Sequence, residues 1–358
     1  MRSSPASGTG CGSDMRALTR AAVGVVVVAL MMARPVAAGP ERVEVSVSRI
    51  LMGTLVEATV LAEDESHARA ALLEAFLEME RVEALLHTEG DGSDIAALNE
   101  SAGGEAVPVG PEAFGVIARA WEYRERSGGL FDVSVGALTA LWGFGDHDAR
   151  VPEAAEVAAL LPGVGAGAVV MDAAAGTVRL PSAVTRVDLG AIAKGYAVDR
   201  AAAVLRERGL RDFLLNAGGD VFASGRKRPG RRWWIGIRHP RRAGELLGHF
   251  ELEDAAVATS GDYERFVEVD GVRHHHILDP RSGWPARGSR SATAIAPTAE
   301  EADARATWLF IAGGDGNGGE DGEDRGVVPF PRSLHVDATG RVRADSLLIV
   351  EHGLVILD

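Results

Sequence analysis

The chain has 358 residues, enough for one large domain or two small ones. Hydrophobic residues make up 46% and charged residues 25%, which is typical of a globular protein, and the formal net charge is −14. Nucleic-acid binding is disfavoured, because the only basic run, residues 226–232, is short and is better interpreted as the start of a strand at Trp233.

The N-terminus has the features of an export signal. Residues 15–20 form a basic start, residues 21–32 an apolar run, and residues 36–38 offer small side chains for cleavage before Gly39. The run is too short and wrongly flanked for a good membrane span, although an uncleaved anchor is the alternative. We therefore expect a signal peptide over residues 1–38.

Two consequences follow for the mature protein. We expect it to be exported to the periplasm or cell envelope, soluble after cleavage, and in contact with the membrane only through an uncleaved signal segment. Met15 could be the true start, because residues 1–14 add nothing that a signal needs. The single cysteine, Cys11, precedes the apolar run, so disulfides, thiol nucleophiles and cysteine-ligated metals are excluded from the mature chain.

The mature chain alternates strand and helix patterns. Predicted strands cover residues 43–47, 55–61, 211–215, 233–238, 255–259, 266–269, 273–278, 334–336 and 342–343. Predicted helices cover residues 72–86, 111–126, 191–208 and 300–311. There is no strict βαβ period, so the sequence predicts an α+β fold rather than a doubly wound sheet. Residues 313–326 are predicted to form a flexible acidic loop whose spacing does not fit calcium.

The first candidate site opens the helix predicted at 191–208. Gly190 allows a ligand to approach the backbone closely, and the first amides of a helix attract phosphate. Lys194 could add a point charge on a phosphate oxygen. The segment fits neither the GxGxxG nor the Walker pattern, so an ordinary helix cap at Asp188 with a solvated lysine is an equal alternative.

The second candidate site is the pair Asp303 and Thr307, four residues apart on one helix face. A carboxylate and a hydroxyl are hard oxygen ligands of the kind that Mg²⁺ takes together with water and phosphate. The alternative is that Asp303 is a first-turn acid that offsets the helix dipole.

The third candidate site is the run His274, His275 and His276, which precedes a tight turn at 279–283. On a strand, alternate residues face opposite sides, so the three cannot bind one metal. A neutral imidazole suits a general base that takes a proton from a hydroxyl, whereas the alternative is a set of surface histidines. A triad of Ser260, His276 and Asp279 is disfavoured, because no GxSxG elbow is present.

The order of the motifs is more specific than any one of them. The segments are residues 52–54, 129–132, 142–145, 188–195, 216–220, 258–263, 276–283 and 302–307. This series resembles the ApbE family, the FAD:protein FMN transferases, from about residue 43 to the C-terminus. The resemblance implies a single α+β domain over residues 39–358, with mixed sheets and flanking helices.

The resemblance also implies roles for individual residues. The flavin-nucleotide positions of the family match Met52, Leu130, Phe131, Asp132, Asp188, Lys194 and Ile277. The Mg²⁺ positions match Asp303, Thr307 and the backbone carbonyl of Ala191, and His276 matches the histidine beside the reacting phosphate. Two departures affect the flavin side: Glu89 stands where the family often has tyrosine, and Ala96 where it usually has serine.

The implied activity is Mg²⁺-dependent transfer of FMN from FAD to a threonine hydroxyl of an acceptor protein, with release of AMP. Implied acceptors are flavin-carrying subunits of exported or membrane redox systems. Self-modification is not expected, because the chain lacks a Ser/Thr-Gly-Ala-Ser/Thr sequence. The alternatives are an FAD pyrophosphatase and a non-catalytic FAD-binding protein. If His276 is the base, His275→Ala should be nearly silent and His274→Ala at most partly damaging.

Overall fold

The computed structural model describes residues 42–90, 92–144, 149–313 and 332–357. The expected signal peptide at 1–38 and all of the acidic loop after Gly313 lie outside the described residues. Within the described residues, no helix is both long enough and apolar enough to cross a membrane.

Helices and strands alternate along the described chain. The strands are β1 (Val43–Leu51), β2 (Thr54–Ala62), β3 (Val107–Pro108), β4 (Val170–Asp172), β5 (Thr177–Arg179), β6 (Asp212–Ala217), β7 (Asp220–Ser224), β8 (Trp233–Arg238), β9 (Leu246–Leu252), β10 (Ala255–Gly261), β11 (Phe266–Val269), β12 (Val272–His275), β13 (Ser289–Ala296), β14 (Ser333–Asp337), β15 (Val342–Ala344) and β16 (Val355–Ile356). The helices are α1 (Glu65–Leu86), α2 (Asp94–Glu100), α3 (Pro111–Arg126), α4 (Gly136–Trp142), α5 (Ala154–Leu160), α6 (Ala193–Glu207), α7 (Ala299–Ala312) and α8 (Ser346–His352).

An eight-stranded sheet organises the fold, in the order β1-β2-β6-β7-β10-β13-β14-β15. Helices lie against it without a βαβ repeat, so the predicted α+β class is confirmed. Every strand pair in the described sheets is antiparallel, and helices flank these sheets as the resemblance implied. Hairpins join some of these antiparallel neighbours directly, among them β1–β2, β6–β7 and β14–β15.

Helices α1, α6 and α7 cover one face of the large sheet. In α1 the apolar residues Leu72, Phe76 and Met79 recur at helical spacing and are buried against the sheet and α6. Asp64 caps α1 by accepting hydrogen bonds from the amides of the first turn. This layer places the N-terminal ends of α6 and α7 beside each other.

A three-stranded sheet, β16-β9-β8, covers part of the other face. In β8 the side chains of Trp233, Ile235 and Ile237 are buried, whereas Trp234 is 53% exposed, as expected of a strand with one solvated face. The basic residues 226–232 form the connection into β8, as the sequence predicted, and six of these seven residues are exposed.

The predicted elements agree with the structure except at a few ends. Helix α3 and strand β8 have the predicted bounds, whereas α6 begins two residues later than expected. The strand expected over residues 273–278 ends at His275. From there the chain leaves the β11–β12 hairpin, and Leu278 pairs instead with Pro285 across the turn at 279–283.

Two tight hairpin turns lie side by side at one end of the sheet. Met52 and Gly53 join β1 to β2 with φ angles of 52° and 68°, as a two-residue type I′ turn requires. Gly218 and Gly219 join β6 to β7 with positive φ angles, and the amide of Gly218 donates to the carbonyl of Leu55. The candidate site lies at this end of the sheet, because β7 starts there.

Candidate active site

A buried charge cluster joins α6, α7 and β7. The ammonium of Lys194, at the start of α6, lies 3.0 Å from Oδ2 of Asp220 and 3.2 Å from Oδ2 of Asp303. Both aspartates are nearly fully buried, and the Lys194 side chain is 27% exposed. One cation thus faces two carboxylates, which leaves a net negative charge in a site of low polarity.

The charged groups of the cluster shift one another's pKa values. Burial first, and then the negative charge of Asp303, raise the pKa of Asp220 to about 7, although Lys194 acts in the opposite direction. Burial alone would lower the pKa of Lys194, but the two carboxylates outweigh it and raise that pKa. Lys194 therefore stays charged, whereas Asp220 gains or loses its proton near neutral pH.

Close packing of α6 on α7 sets the position of Asp303. The amide of Gly195 donates to Oδ2 of Asp303 at 3.2 Å. A Cβ placed on Gly195 would lie 2.3 Å from the carbonyl oxygen of Ala299, so only glycine permits this helix crossing. Gly195 therefore serves helix packing, whereas Gly190, three residues before α6, is exposed and leaves its backbone accessible.

The helix-cap interpretation of Asp188 is wrong. Its carboxylate accepts from the amide of Gly190 at 2.8 Å, which forms a turn before the helix, and the N-cap residue of α6 is Ile192 without a side-chain cap. The solvated-lysine interpretation is also wrong, because Lys194 is held by Asp220 and Asp303. Ala191 lies half-buried in the same turn, between Asp188 and the helix.

The dipole interpretation of Asp303 is wrong as well. Asp303 is the fifth residue of α7, whereas Glu300 and Glu301 are the first-turn acids. One helical turn later, Oγ1 of Thr307 lies 3.3 Å from Oγ of Ser260 at the end of β10. Asp303 and Thr307 thus present a carboxylate and a hydroxyl from one helix toward α6 and β10.

The neighbouring segments fix the approach to Asp188. The side-chain amide of Asn99 hydrogen-bonds both the N–H and the carbonyl of Val187, at 2.7 and 2.9 Å. The amide of Asp188 donates to the carbonyl of Val133 at 2.8 Å. Asp132 is buried, with Oδ2 paired to Arg124. This framework joins the 129–132 and 188–195 motifs into one wall.

The other predicted flavin positions differ in exposure. Met52 and Leu130 are half-buried at the surface of the core, and Ile277 is buried. The ring of Phe131 is only 1% exposed and packs edge-on against Tyr123, so its main chain is the part near the wall that can meet a ligand. Their roles toward the flavin stay predictions.

The two departures from the family pattern lie near α2. Glu89 is exposed, and its backbone hydrogen-bonds the imidazole of His87. Ala96 is buried in α2. Neither side chain contacts the Lys194 cluster, so we expect any effect of these two departures to concern flavin binding.

His276 follows β12 and is held in place by contacts of its backbone amide and its imidazole ring. Its amide and its Nδ1 both lie within hydrogen-bond distance of the carbonyl of Arg265, at 3.1 and 3.3 Å. A carbonyl only accepts, so Nδ1 carries the proton and Nε2 keeps its lone pair. Burial first, and then the positive charge of Arg265, lower the pKa of His276 to about 3, so the imidazole is neutral at physiological pH.

The surface-histidine interpretation of the run is wrong for its first two members. His274 is buried and stacks on Trp142, with 5.7 Å between the ring centroids. His275 is buried on the opposite side, where Nε2 donates to the carbonyl of Ala286 at 2.7 Å and the ring packs edge-on against Phe310. His275→Ala therefore cannot be silent for stability, although the ring faces away from His276.

The structure does not assemble a serine–histidine–aspartate triad. Ser260 pairs with Thr307, and the carboxylate of Asp279 pairs with Arg281. Sequence reasoning missed Asp220, which was noted only as the end of the 216–220 motif. The available signal was an acid placed directly after Gly218-Gly219 at the start of a strand that is buried throughout.

The donor set fits a magnesium ion. Asp220 and Asp303 are buried carboxylates that share the single ammonium of Lys194. Across the described ranges no group of three or more histidine, cysteine, aspartate or glutamate residues could hold a metal. A cation here would therefore depend on few carboxylates together with hydroxyl, carbonyl and phosphate oxygens, the ligand type of Mg²⁺.

The start of α6 lies beside a buried cluster of one lysine and two aspartates, an arrangement typical of proteins that bind a phosphate-bearing ligand. The family model described as the ApbE family matches residues 52–317. The chain belongs to the ApbE family.

Relatives and solved structures agree with this assignment. An FAD:protein FMN transferase from Treponema pallidum (strain Nichols) is 36% identical, over 75% of this chain and 79% of that protein. One from Klebsiella pneumoniae (strain 342) is 35% identical, over 75% and 82%. A crystal structure of the ApbE protein from Thermotoga maritima matches with a TM-score of 0.78 and 33% identity, over 86% of this chain and 98% of that one.

Proposed function

We propose that this chain is an FAD:protein FMN transferase, which moves the FMN half of FAD onto a threonine hydroxyl of an acceptor protein. The observation that carries the proposal is the imidazole of His276, whose Nδ1 is held by the carbonyl of Arg265 so that Nε2 keeps its lone pair, in a chain similar to named transferases. A base and a charged anchor are the two requirements of transfer between a phosphoric anhydride and a hydroxyl.

In the proposed reaction the threonine oxygen attacks the phosphorus on the FMN side of the anhydride. The bond from that phosphorus to the bridging oxygen breaks, and AMP leaves with the bonding electrons. Nε2 of His276 takes the hydroxyl proton, because Nδ1 is already protonated and held by the carbonyl of Arg265. General-base help of this kind is worth roughly 10²–10⁴ in rate.

Asp303, Thr307 and the carbonyl of Ala191 would hold Mg²⁺. Bound there, it would neutralise charge that builds on the pyrophosphate oxygens. Support comes from the excess negative charge around Lys194 and from the contact between Asp303 and Gly195, which brings α7 against the start of α6. Lys194 also orients Asp303 and Asp220, so its role is wider than a contact to phosphate.

The flavin nucleotide would lie along the wall formed by Met52, Leu130, Asp132, Asp188 and Ile277. The Met52–Gly53 turn supports this placement, because Met52 has a left-handed backbone, which is uncommon for a residue other than glycine. Strain of this kind clusters at ligand sites, where the surrounding fold holds it in place. Phe131 would support the wall from within the core.

The proposed setting is outside the cytoplasm, because residues 15–38 read as an export signal. Acceptors would then be flavin-carrying subunits of exported or membrane redox systems. N-terminal sequencing of exported material should find a start near Gly39. A mature protein that retains residues 15–38 would contradict cleavage and favour an anchor.

The experiment that tests the function uses FAD, Mg²⁺ and an exported protein domain that carries a Ser/Thr-Gly-Ala-Thr sequence. We expect an FMN-sized mass gain on the acceptor with wild type, and loss of that gain with EDTA or with Asp303→Ala at limiting Mg²⁺. Circular dichroism should show that Asp303→Ala is folded. An unchanged transfer rate of Asp303→Ala at limiting Mg²⁺ would show that Asp303 is not a ligand of the metal.

A further inference from the structure

Arg265 lies between β10 and β11, where its backbone and its side chain have separate neighbours. The carbonyl accepts from the amide and Nδ1 of His276, as described above. The guanidinium rests beside the Met52–Gly53 turn, because a Cβ placed on Gly53 would lie 3.6 Å from Nη2 of Arg265. One residue thus joins the proposed base to the turn that carries a flavin position.

Arg265 is exposed and forms no ion pair with the residues that the structure describes, although acidic residues are close in the chain. Asp262 pairs with Arg241, which donates two hydrogen bonds to it at 2.7 and 2.6 Å. Glu264 is taken by Arg238. Over the ranges that the structure describes, no carboxylate pairs with Arg265, so its hydrogen-bond donors are available to a ligand.

The position of this free cation is informative. The positive charges of Arg265 and Lys194 both lower the pKa of His276, in addition to its burial, so both cations lie within electrostatic range of the imidazole. The charge of Lys194 is already compensated by Asp220 and Asp303, whereas that of Arg265 is not. An anion that reaches His276 would therefore find its free partner in Arg265.

We propose that the Arg265 guanidinium binds the pyrophosphate oxygens of the dinucleotide beside His276. The inference rests on the proposed function, which supplies this ligand. A guanidinium is planar and can donate two parallel hydrogen bonds to phosphate oxygens, which fixes orientation as well as charge. Arg265 then has two roles: the carbonyl sets the tautomer of His276, and the side chain holds the substrate at that base.

The test compares Arg265→Ala, Arg265→Lys and wild type, because these changes keep the backbone carbonyl. Arg228→Ala is the matched control, since Arg228 is also exposed and lies in the 225–232 connection after Ser224, at the end of β7 away from Asp220. FAD binding is followed by flavin fluorescence with Mg²⁺ and no acceptor. Inorganic pyrophosphate is then used as a competitor.

We expect Arg265→Ala to weaken binding of both FAD and inorganic pyrophosphate by roughly ten- to a hundredfold, the loss typical of a hydrogen bond to a charged group. Arg265→Lys should recover part of this loss, and Arg228→Ala should match wild type. Arg265→Ala should also raise the pKa of the group that limits transfer at low pH, because a positive charge near His276 is removed.

The inference is overturned if Arg265→Ala binds FAD and pyrophosphate within about twofold of wild type, where roughly tenfold or more is expected. It is also overturned if only the KM for the acceptor rises, since Arg265 would then serve the protein partner. Thermal melting shows whether both variants are folded. If Arg265→Ala is unfolded, the binding of FAD and pyrophosphate by Arg265→Lys provides the test. A wild type that neither binds FAD nor transfers FMN contradicts the proposed function instead.

Discussion

At the scale of single residues, burial separates three adjacent histidines that look alike in the sequence. His274 packs on an aromatic ring, His275 fills a core position, and His276 is oriented by the carbonyl of Arg265 so that Nε2 keeps its lone pair. Alternation along a strand predicted opposite faces for His275 and His276. It could not predict that the strand ends at His275, because that depends on the chain turning so that Leu278 pairs with Pro285.

The histidine run provides a matched pair of variants. His276→Ala should lower transfer by roughly 10²–10⁴ and change FAD affinity by less than about threefold, since proton removal matters mainly in the transition state. His275→Ala should keep its activity per folded molecule but lose about 1–3 kcal/mol of unfolding free energy, because a buried hydrogen bond and ring contact are removed.

Rates and melting curves of both variants measure the two effects separately. Equal losses of FAD binding and transfer in His276→Ala would argue against a base. A lower transfer rate in folded His275→Ala would indicate that the reactive imidazole is on the other face of the strand.

The lowered pKa of His276 also predicts how stability depends on pH. The folded value of about 3 lies below the ordinary 6.5, so between these values the unfolded chain binds a proton that the folded chain does not. Stability from the neutral ring is thus present above pH 6.5 and is lost as pH falls toward 3. Denaturant unfolding of His276→Gln should show a shallower loss over this range than wild type.

His87→Gln is the control for this pH experiment, because His87 is exposed. It should follow wild type throughout. An acid-side slope of His276→Gln that is equal to wild type would show that His276 is not buried as a neutral ring in solution.

At the scale of elements, the four long helices α1, α3, α6 and α7 were predictable, whereas the short helices and the junction of α6 with α7 were not. Spacing of apolar residues gave α3 its bounds and placed α7 correctly, because each helix must bury one face. The contact of Gly195 with the start of α7 involves residues that are about a hundred positions apart in the chain, so no local pattern reports it. The same holds for Asp220, whose role depends on meeting Lys194 across two elements.

Gly195→Ala tests this junction. A methyl group would overlap the backbone of Ala299 and force α7 away from α6, which should cost about 1–3 kcal/mol of stability. Asp303 would move from Lys194 and the amide of Gly195, so transfer should fall by more than the folded fraction does.

Gly115→Ala is the matched control in α3, where the new methyl group would only touch the Arg119 side chain at 3.4 Å. Replacing an unstrained helical glycine usually stabilises by about 0.4–1 kcal/mol. The two variants are compared by denaturant unfolding and by transfer rate. A Gly195→Ala protein as stable and active as Gly115→Ala would show that the crossing is looser than the structure indicates.

At the scale of the whole molecule, one end of the large sheet collects the chemistry. The turns at 52–53 and 218–219, the starts of β7 and α6, and the end of β10 all meet there, while helices and the small sheet cover the faces. The motif order in the sequence was enough to indicate the family and the α+β class. The uniformly antiparallel pairing was not predictable, because strand direction depends on long-range register.

The central claim is that this site couples cleavage of FAD to modification of a protein hydroxyl. The most direct measurement is the ratio of AMP released to FMN attached, with Mg²⁺, FAD and the Thr-bearing acceptor, and again without acceptor. We expect one AMP for each FMN attached, and AMP release that depends on the acceptor. AMP release at the same rate without any acceptor, with no mass gain when it is present, would contradict transfer and identify an FAD pyrophosphatase.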